Sequence, residues 1–296
     1  MFDLRYHVAS LAAVFLALII GILVGVGIST QDVVAKSERD LLRKDKAALE
    51  QRLERAERRI VFLTRSQGAG REFIDGTYGA LMTDRLRGVR VAVVFVGSVD
   101  PDLRAAVQDS LVDGGAVGLL RLRALKVPLD LKAVRRALAA RPALVAYAGD
   151  RRVAELGTAL AVEFVLGGTT PLWNALQRTL VEERSGNEAL AADAVVVVRT
   201  ALPQRGATAR FLRGFYTGLA SPGFPVVGVE GSTGEVSAVE TWKRRGISSV
   251  DDVDTAPGRL ALAVLLAGGR PGRYGVKPTA DSLLPPVDPV PSQAGG

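Results

Sequence analysis

Between Val8 and Gln31 the chain carries no formally charged side chain, and nearly every position up to Ile28 is apolar. A hydrocarbon core about 30 Å thick needs about 20 apolar residues at a rise of about 1.5 Å each, so this run has the length of a membrane-spanning helix with little to spare. A secretory h-region is commonly about 7 to 15 residues long and ends at an Ala-x-Ala-like site. Here the run is longer, and Gly27-Ile28-Ser29 makes a poor cleavage signal. The expectation is an uncleaved signal anchor over residues 1–31, with the membrane as first partner.

The remaining length of the 296-residue chain suffices for one sizeable domain with a buried core. Cysteine is absent, which removes disulfides, thiolate metal sites and cysteine nucleophiles together without fixing the compartment. The net charge of +7 is spread from Arg39 to Arg273 among interleaved acids, and only 5% of residues are aromatic. Nucleic-acid binding favours a basic stripe with stacking aromatics, so no nucleic acid is expected. Attraction to anionic lipid or an acidic wall polymer fits the charge better.

A charged stretch free of Gly and Pro follows over residues 32–67. With Leu42, Leu49, Ala56 and Leu63 at d, positions a become Arg39, Lys46, Leu53 and Ile60. That is the pattern of a short parallel coiled coil whose first half is weakened by Arg39 and Lys46. A homo-oligomer joined through this stalk, over residues 32–68, is therefore expected. The competing reading is a single solvated helix, with Glu50 and Glu54 facing Arg55, Arg58 and Arg59. Gly21, Gly25 and Gly27 would let two anchors approach closely, although glycine is common in membrane helices anyway.

Gln67-Gly68-Ala69-Gly70 is expected to end that helix, with a further short one over 72–86. Apolar runs at 89–96, 116–122, 143–148, 194–198 and 225–229 then alternate with helical segments at 102–113, 131–140, 151–166 and 207–219. Valine-rich runs apolar on both faces and joined by crossover helices predict an α/β domain over 69–275 with a mostly parallel, Rossmann-like sheet. Three of the runs end in a glycine turn, at Gly97, Gly149 and Gly231, on the edge where such sheets bind ligands. A last helix is expected over 258–267. The tail, 276–296, holds five prolines and too little apolar surface to fold.

Two turns are candidate anion sites: Gly97, Ser98 and Asp100 after the first run, and Gly231 and Ser232 after the fifth. Glycine and serine are also ordinary turn residues. Asp251, Asp252 and Asp254 form the densest acidic cluster, able to collect a hard cation such as calcium or magnesium, or equally to cap the helix beginning near Pro257. Asp100 or Asp102 can likewise cap the helix after Pro101. A Gly-x-Ser-x-Gly elbow is missing, and the single histidine, His7, lies at the membrane border. No catalytic residue and no cofactor is identified, and the chain is not expected to be an enzyme.

The opening Leu4-Arg5-Tyr6-His7-Val8-Ala9-Ser10-Leu11-Ala12-Ala13-Val14-Phe15-Leu16-Ala17-Leu18, with Gly21 and Gly25, is matched at the far end by Ser249-Val250-Asp251-Asp252-Val253-Asp254, Pro257-Gly258-Arg259 and Gly272-Arg273-Tyr274-Gly275. Together with the coiled segment, these motifs resemble the actinobacterial copper transporter family of MctB-like proteins. The resemblance implies an envelope protein of copper transport and homeostasis, described as a channel-like component of the outer membrane; some relatives look instead like septal or cell-wall partners. From the residues alone, copper(I) favours thiolate or thioether and copper(II) imidazole. With no cysteine, one histidine and only Met1 and Met82, the chain is not expected to bind copper directly, while a part in copper handling through a partner stays open. One helix cannot enclose a pore, and ten-residue alternating barrel strands are not visible.

Five basic residues from Lys36 to Lys46 would place the domain in the cytoplasm by charge count, whereas the resemblance places it outside; the outside orientation is the expectation. The favoured reading is a single-pass envelope protein whose stalk and α/β domain recruit envelope protein partners. The alternatives are a septal or cell-wall scaffold without a copper role, and a nucleotide- or anion-binding enzyme using the turns at 97–100 and 231–234.

Overall fold

A computed structural model describes residues 4–221, 223–234 and 237–288, with backbone alone at 4–5 and 27–40. The chain divides into two units, residues 1–71 and 72–296. Helix α1, Leu4–Met82, supplies the whole of the described first unit. It contains an apolar span, Tyr6–Val26, with a mean hydropathy of 2.8 and none of it buried. Leu42, Leu49, Leu53, Ile60 and Leu63 of the heptad seam are all exposed, Leu53 at 60%. Gly27, Ser29, Gln31 and Arg39 are described by their backbone alone. Intrahelical pairs do form, at Lys46 to Glu50 (3.7 Å) and Arg58 to Glu54 (3.5 Å), but exposed pairs of this kind contribute little.

The expected break at Gly68 and Gly70 does not occur, and α1 runs on to Met82. Glycine costs about 1 kcal/mol against alanine in a helix but does not forbid it. The neighbouring sequence holds no proline, and both glycines face open space.

The second unit is built on a seven-stranded sheet of order β3-β2-β1-β4-β5-β6-β7. The strands are β1 (Val91–Val96), β2 (Leu119–Leu125), β3 (Val181–Gly186), β4 (Ala194–Arg199), β5 (Val226–Val229), β6 (Ser248–Val250) and β7 (Arg273–Tyr274). All pairings are parallel except β2 with β3. The connecting helices are α2 (Pro101–Asp113), α3 (Leu131–Ala139), α4 (Val153–Leu166), α5 (Pro171–Leu180), α6 (Gly206–Ala220), α7 (Val239–Lys243) and α8 (Ala256–Leu266).

Strand β1 shows why valine runs specify this sheet. Its residues alternate between two cores: Ala92, Val94 and Val96 pack with α3 to α7, while Val91, Val93 and Phe95 pack with α2, α8 and Met82. On the first face α4 and α6 approach so closely that a Cβ on Gly157 would strike the Phe211 carbonyl, and one on Gly214 the Ala154 carbonyl.

Four local expectations are corrected. Residues 143–148, expected as a strand, lie in a 3-10 segment, Pro142–Ala148, with only Leu144 buried; a short apolar run is ambiguous between strand and helix. The edge position beside β2 goes to β3 instead, whose Val-Glu-Glu-Arg-Ser-Gly reads as polar because charges protect an edge strand. Gly149 consequently does not lie at the carboxyl end of a strand. The tail is ordered through residue 288: Tyr274 bridges to Ser282, and Leu284 and Val287 pack against the second core. Arg85 donates to the Asp288 carbonyl at 3.2 Å. Polar anchors stand in for the missing apolar surface. Residues 289–296 lie outside the described residues.

Candidate functional site

The sheet order reverses at β1, whose neighbours β2 and β4 lead the chain to opposite sides; in doubly wound sheets, crevices open at the carboxyl end of such a switch. The turn at Gly149 does not lie along this edge, whereas the candidate turns after β1, β5 and β6 do. They divide into two regions of opposite character.

After β1, Gly97 has φ of +113°, and a Cβ there would lie 2.6 Å from Thr200 Oγ1. Glycine is therefore required where the ends of β1 and β4 cross. Thr200 Oγ1 donates to the Ser98 carbonyl at 2.7 Å, the Gly97 amide to Leu125 O, and the Thr200 and Ala201 amides to Val96 O. Asp100 caps α2, its Oδ1 accepting from the Asp102 and Leu103 amides at 3.0 Å each. Gly97 and Ser98 do border a cleft of about 480 Å³, shared with Lys126, Glu182 and Thr200. Asp100 does not join it, being occupied as a cap.

After β5 and β6 the candidate anion donors and candidate cation ligands meet and satisfy each other. Ser232 donates its amide to Asp254 Oδ1 (2.7 Å) and its hydroxyl to Asp254 Oδ2 (2.6 Å). Asp251, fully buried, accepts from the Val276 and Lys277 amides at 2.8 and 3.1 Å. The neighbouring Glu230 takes a hydrogen bond from the Ala238 amide and an ion pair from Lys277, at 3.2 Å. Asp252 accepts from Thr255 Oγ1 at 3.0 Å, while its Oδ1 is buried without a donor. Burial, reinforced by Asp251 and Asp254, pushes its acid up to about 6. The cap of α8 is Thr255, whose hydroxyl accepts from the Gly258 amide at 3.1 Å; no carboxylate of the cluster caps it directly. Asp251, Asp252 and Asp254 thus diverge onto separate partners. Among the described residues no group of three or more His, Cys, Asp or Glu converges on a metal-sized space.

Sequence reasoning missed a second cleft, of about 590 Å³, beside the carboxyl ends of β1 and β4. Arg199 ends β4, Arg213 comes from α6, and Arg244 and Arg245 follow α7; Gln204 and Tyr216 also face it. None of the described residues lining it is acidic. Arg245 donates to the Thr241 carbonyl at 2.8 Å, and its Nε is buried without an acceptor. Burial, then the like charges of Arg213 and Arg244, holds the Arg245 guanidinium below its ordinary range. Burial pushes the Tyr216 phenol up to about 12, with Arg199 and Arg245 acting in the other direction, so it is a neutral donor near pH 7. The four arginines are scattered in sequence, and the only local signal is Arg199 closing a run of buried valines at a strand's carboxyl end.

For copper, the soft ligands are poorly placed: Met82 is buried in the second core, and His7 stands alone in the apolar span. The sheet is open, bounded by β3 and β7, with strands buried on both faces. It has neither the closure nor the lipid-facing alternation of a transmembrane barrel.

Comparison with known proteins bears on the whole chain. The family described as "Copper transport outer membrane protein, MctB" matches residues 1–285. The protein named Copper transporter MctB of Mycobacterium leprae (strain TN) is 26% identical over 321 aligned positions, which cover 97% of this chain and all of the relative.

Proposed function

The chain belongs to the MctB family, and from that premise we propose that it serves copper transport and homeostasis as a single-pass, membrane-anchored module that binds envelope proteins and does not itself form the pore. The observation that carries this reading is the span Tyr6–Val26, a continuous apolar helix whose side chains are exposed. Leaving that much apolar surface in water is unfavourable by about 25 cal/mol per Å², and a bilayer removes it. The seam of Leu49, Leu53, Ile60 and Leu63, also uncovered, supports self-association of a second copy as a parallel coiled coil. The α/β unit faces the extracytoplasmic side in this reading. Copper passes through partners, since neither the residue inventory nor the arrangement of side chains suits a resident ion. No catalysis is assigned: the carboxylates of the β5 and β6 turns are held by structural partners.

Carbonate extraction of membranes, followed by mass spectrometry of the amino terminus, tests the anchor. Retention with residues 1–31 present is expected, and release of a shortened chain overturns it. A reporter fused after Gly275 tests the orientation, with activity only in the cytoplasm counting against it. Leu53→Asp with Ile60→Asp is expected to abolish crosslinking between copies while leaving the protein in the membrane fraction. Retention of copper by the purified protein through dialysis would overturn the assignment of copper to a partner.

A further inference from the structure

We propose that the cleft at the carboxyl ends of β1 and β4 binds a phosphorylated ligand, its phosphoryl oxygens held by Arg199, Arg213, Arg244 and Arg245. This site is independent of any copper role and uses none of the turns suggested by sequence.

Three observations carry it. First, the four guanidiniums come from three elements, β4, α6 and the segment after α7, and converge on one cleft with no carboxylate among its described lining residues. Among the described residues, Arg213, Arg244 and Arg245 form no ion pair, whereas some other arginines of the unit, such as Arg90 with Asp193 at 2.7 Å, are paired. Gathering like charges is unfavourable without a counter-charge, and Arg245 additionally keeps its Nε buried without an acceptor. Second, the position is the switch point of the sheet, bordered by Val96 at the end of β1 and Arg199 at the end of β4, where folds of this kind hold ligands. Third, the volume of about 590 Å³ lies within the range of small-molecule pockets and exceeds the needs of a simple ion. Leu202, Pro203 and Leu212 offer an apolar wall for the rest of such a molecule.

The charge selects the chemistry. A single carboxylate carries one negative charge and would leave most of the guanidinium charge uncompensated. A phosphoryl ester carries about −1.5 to −2 at neutral pH and three acceptor oxygens, and a guanidinium fork engages two of them at once. Gln204 and the neutral phenol of Tyr216 add uncharged donors beside them. Because Arg213 and Arg244 are exposed, their share of the attraction is screened by salt.

Isothermal titration of the full-length protein in non-ionic detergent tests the site, with sodium pyrophosphate, dihexanoyl phosphatidic acid and citrate as probes. Saturable binding of pyrophosphate or of the phosphatidic acid is expected, weakening with salt. Arg213→Gln and Arg245→Gln should each lower affinity at least about tenfold, the loss of one charged hydrogen-bonding group. Arg136→Gln, an exposed arginine on α3, should not. Tighter binding of pyrophosphate identifies a soluble phosphorylated compound, and tighter binding of phosphatidic acid a lipid headgroup. The proposal is overturned if neither phosphorylated probe binds, if the cleft variants bind like the parent, or if citrate binds as tightly. Unfolding midpoints without ligand confirm that the variants are folded, Arg213 being exposed.

Discussion

The carboxyl edge of the sheet carries a saturated end and an unsaturated one. Beyond β5 and β6, anion donors and carboxylates consume each other: Ser232 is bound to Asp254, Asp251 to the amides of 276 and 277, and Glu230 to Lys277. Beside β1 and β4, positive charge accumulates with no acid among the described lining residues. A cluster of polar residues is thus poor evidence of a binding site until its internal partners are known. The acid-rich motif is the more conspicuous in sequence, yet its groups are taken up within the protein, Asp251 by the amides of 276 and 277, Asp252 by Thr255 and Asp254 by Ser232.

The contrast predicts opposite responses to mutation. The largest effect is expected from Glu230→Ala, which leaves the Lys277 ammonium buried without its carboxylate and the Ala238 amide without its acceptor. A loss of about 3–5 kcal/mol in denaturant unfolding is expected. The double variant Glu230→Gln, Lys277→Met should recover much of it; if the single variant is neutral, the saturated end is not structural.

Asp252 gives the next largest effect, with a definite pH dependence. Its folded acid lies at about 6 against an ordinary 3.8, so the folded state holds the proton more tightly than the unfolded one. Stability from this group is therefore full at low pH and is lost as pH climbs from about 4 to about 6, by up to about 3 kcal/mol. Asp252→Asn should flatten that decline in unfolding measured across the window. An unchanged slope would mean that the carboxyl is not the titrating group.

Ser232→Ala removes an exposed hydroxyl donor to Asp254, and a loss of about 1 kcal/mol is expected in the same assay. The smallest effect belongs to the other end. Without ligand, Arg213→Gln and Arg244→Gln should each stay within about 0.5 kcal/mol of the parent, since no ion pair is broken. Relief of like-charge repulsion would even favour the variants at low salt. A large loss in either would show those arginines to be structural and erase the distinction between the two ends.

Legibility differed in the same way. Runs 89–96, 194–198 and 225–229 coincide closely with β1, β4 and β5, because strands covered on both sides must be apolar at every position. The helices α2, α3, α4 and α6 were equally legible, and Asp100 followed by Pro101 marked a cap and a first turn. Strand β3 was hidden because an edge strand carries charge, and 143–148 misled because a short apolar run has no periodicity of its own. The order of residues 276–288 was equally hidden, since it depends on partners such as Asp251 and Glu230 lying dozens of positions away. Of the site, the turn at Gly97 was visible as a glycine after a strand, but the arginine cleft was not.

By itself the sequence determined the apolar span, the alternation of valine strands with helices and the scarcity of soft copper ligands, because composition and short-period patterns act through neighbours along the chain. Tertiary structure alone decided which strand sits at the centre, which charges neutralise each other and which are left facing a cleft. Those outcomes depend on distances between residues far apart in the chain, such as Arg213 and Arg245, which only the packing of α6 and α7 beside the sheet brings together.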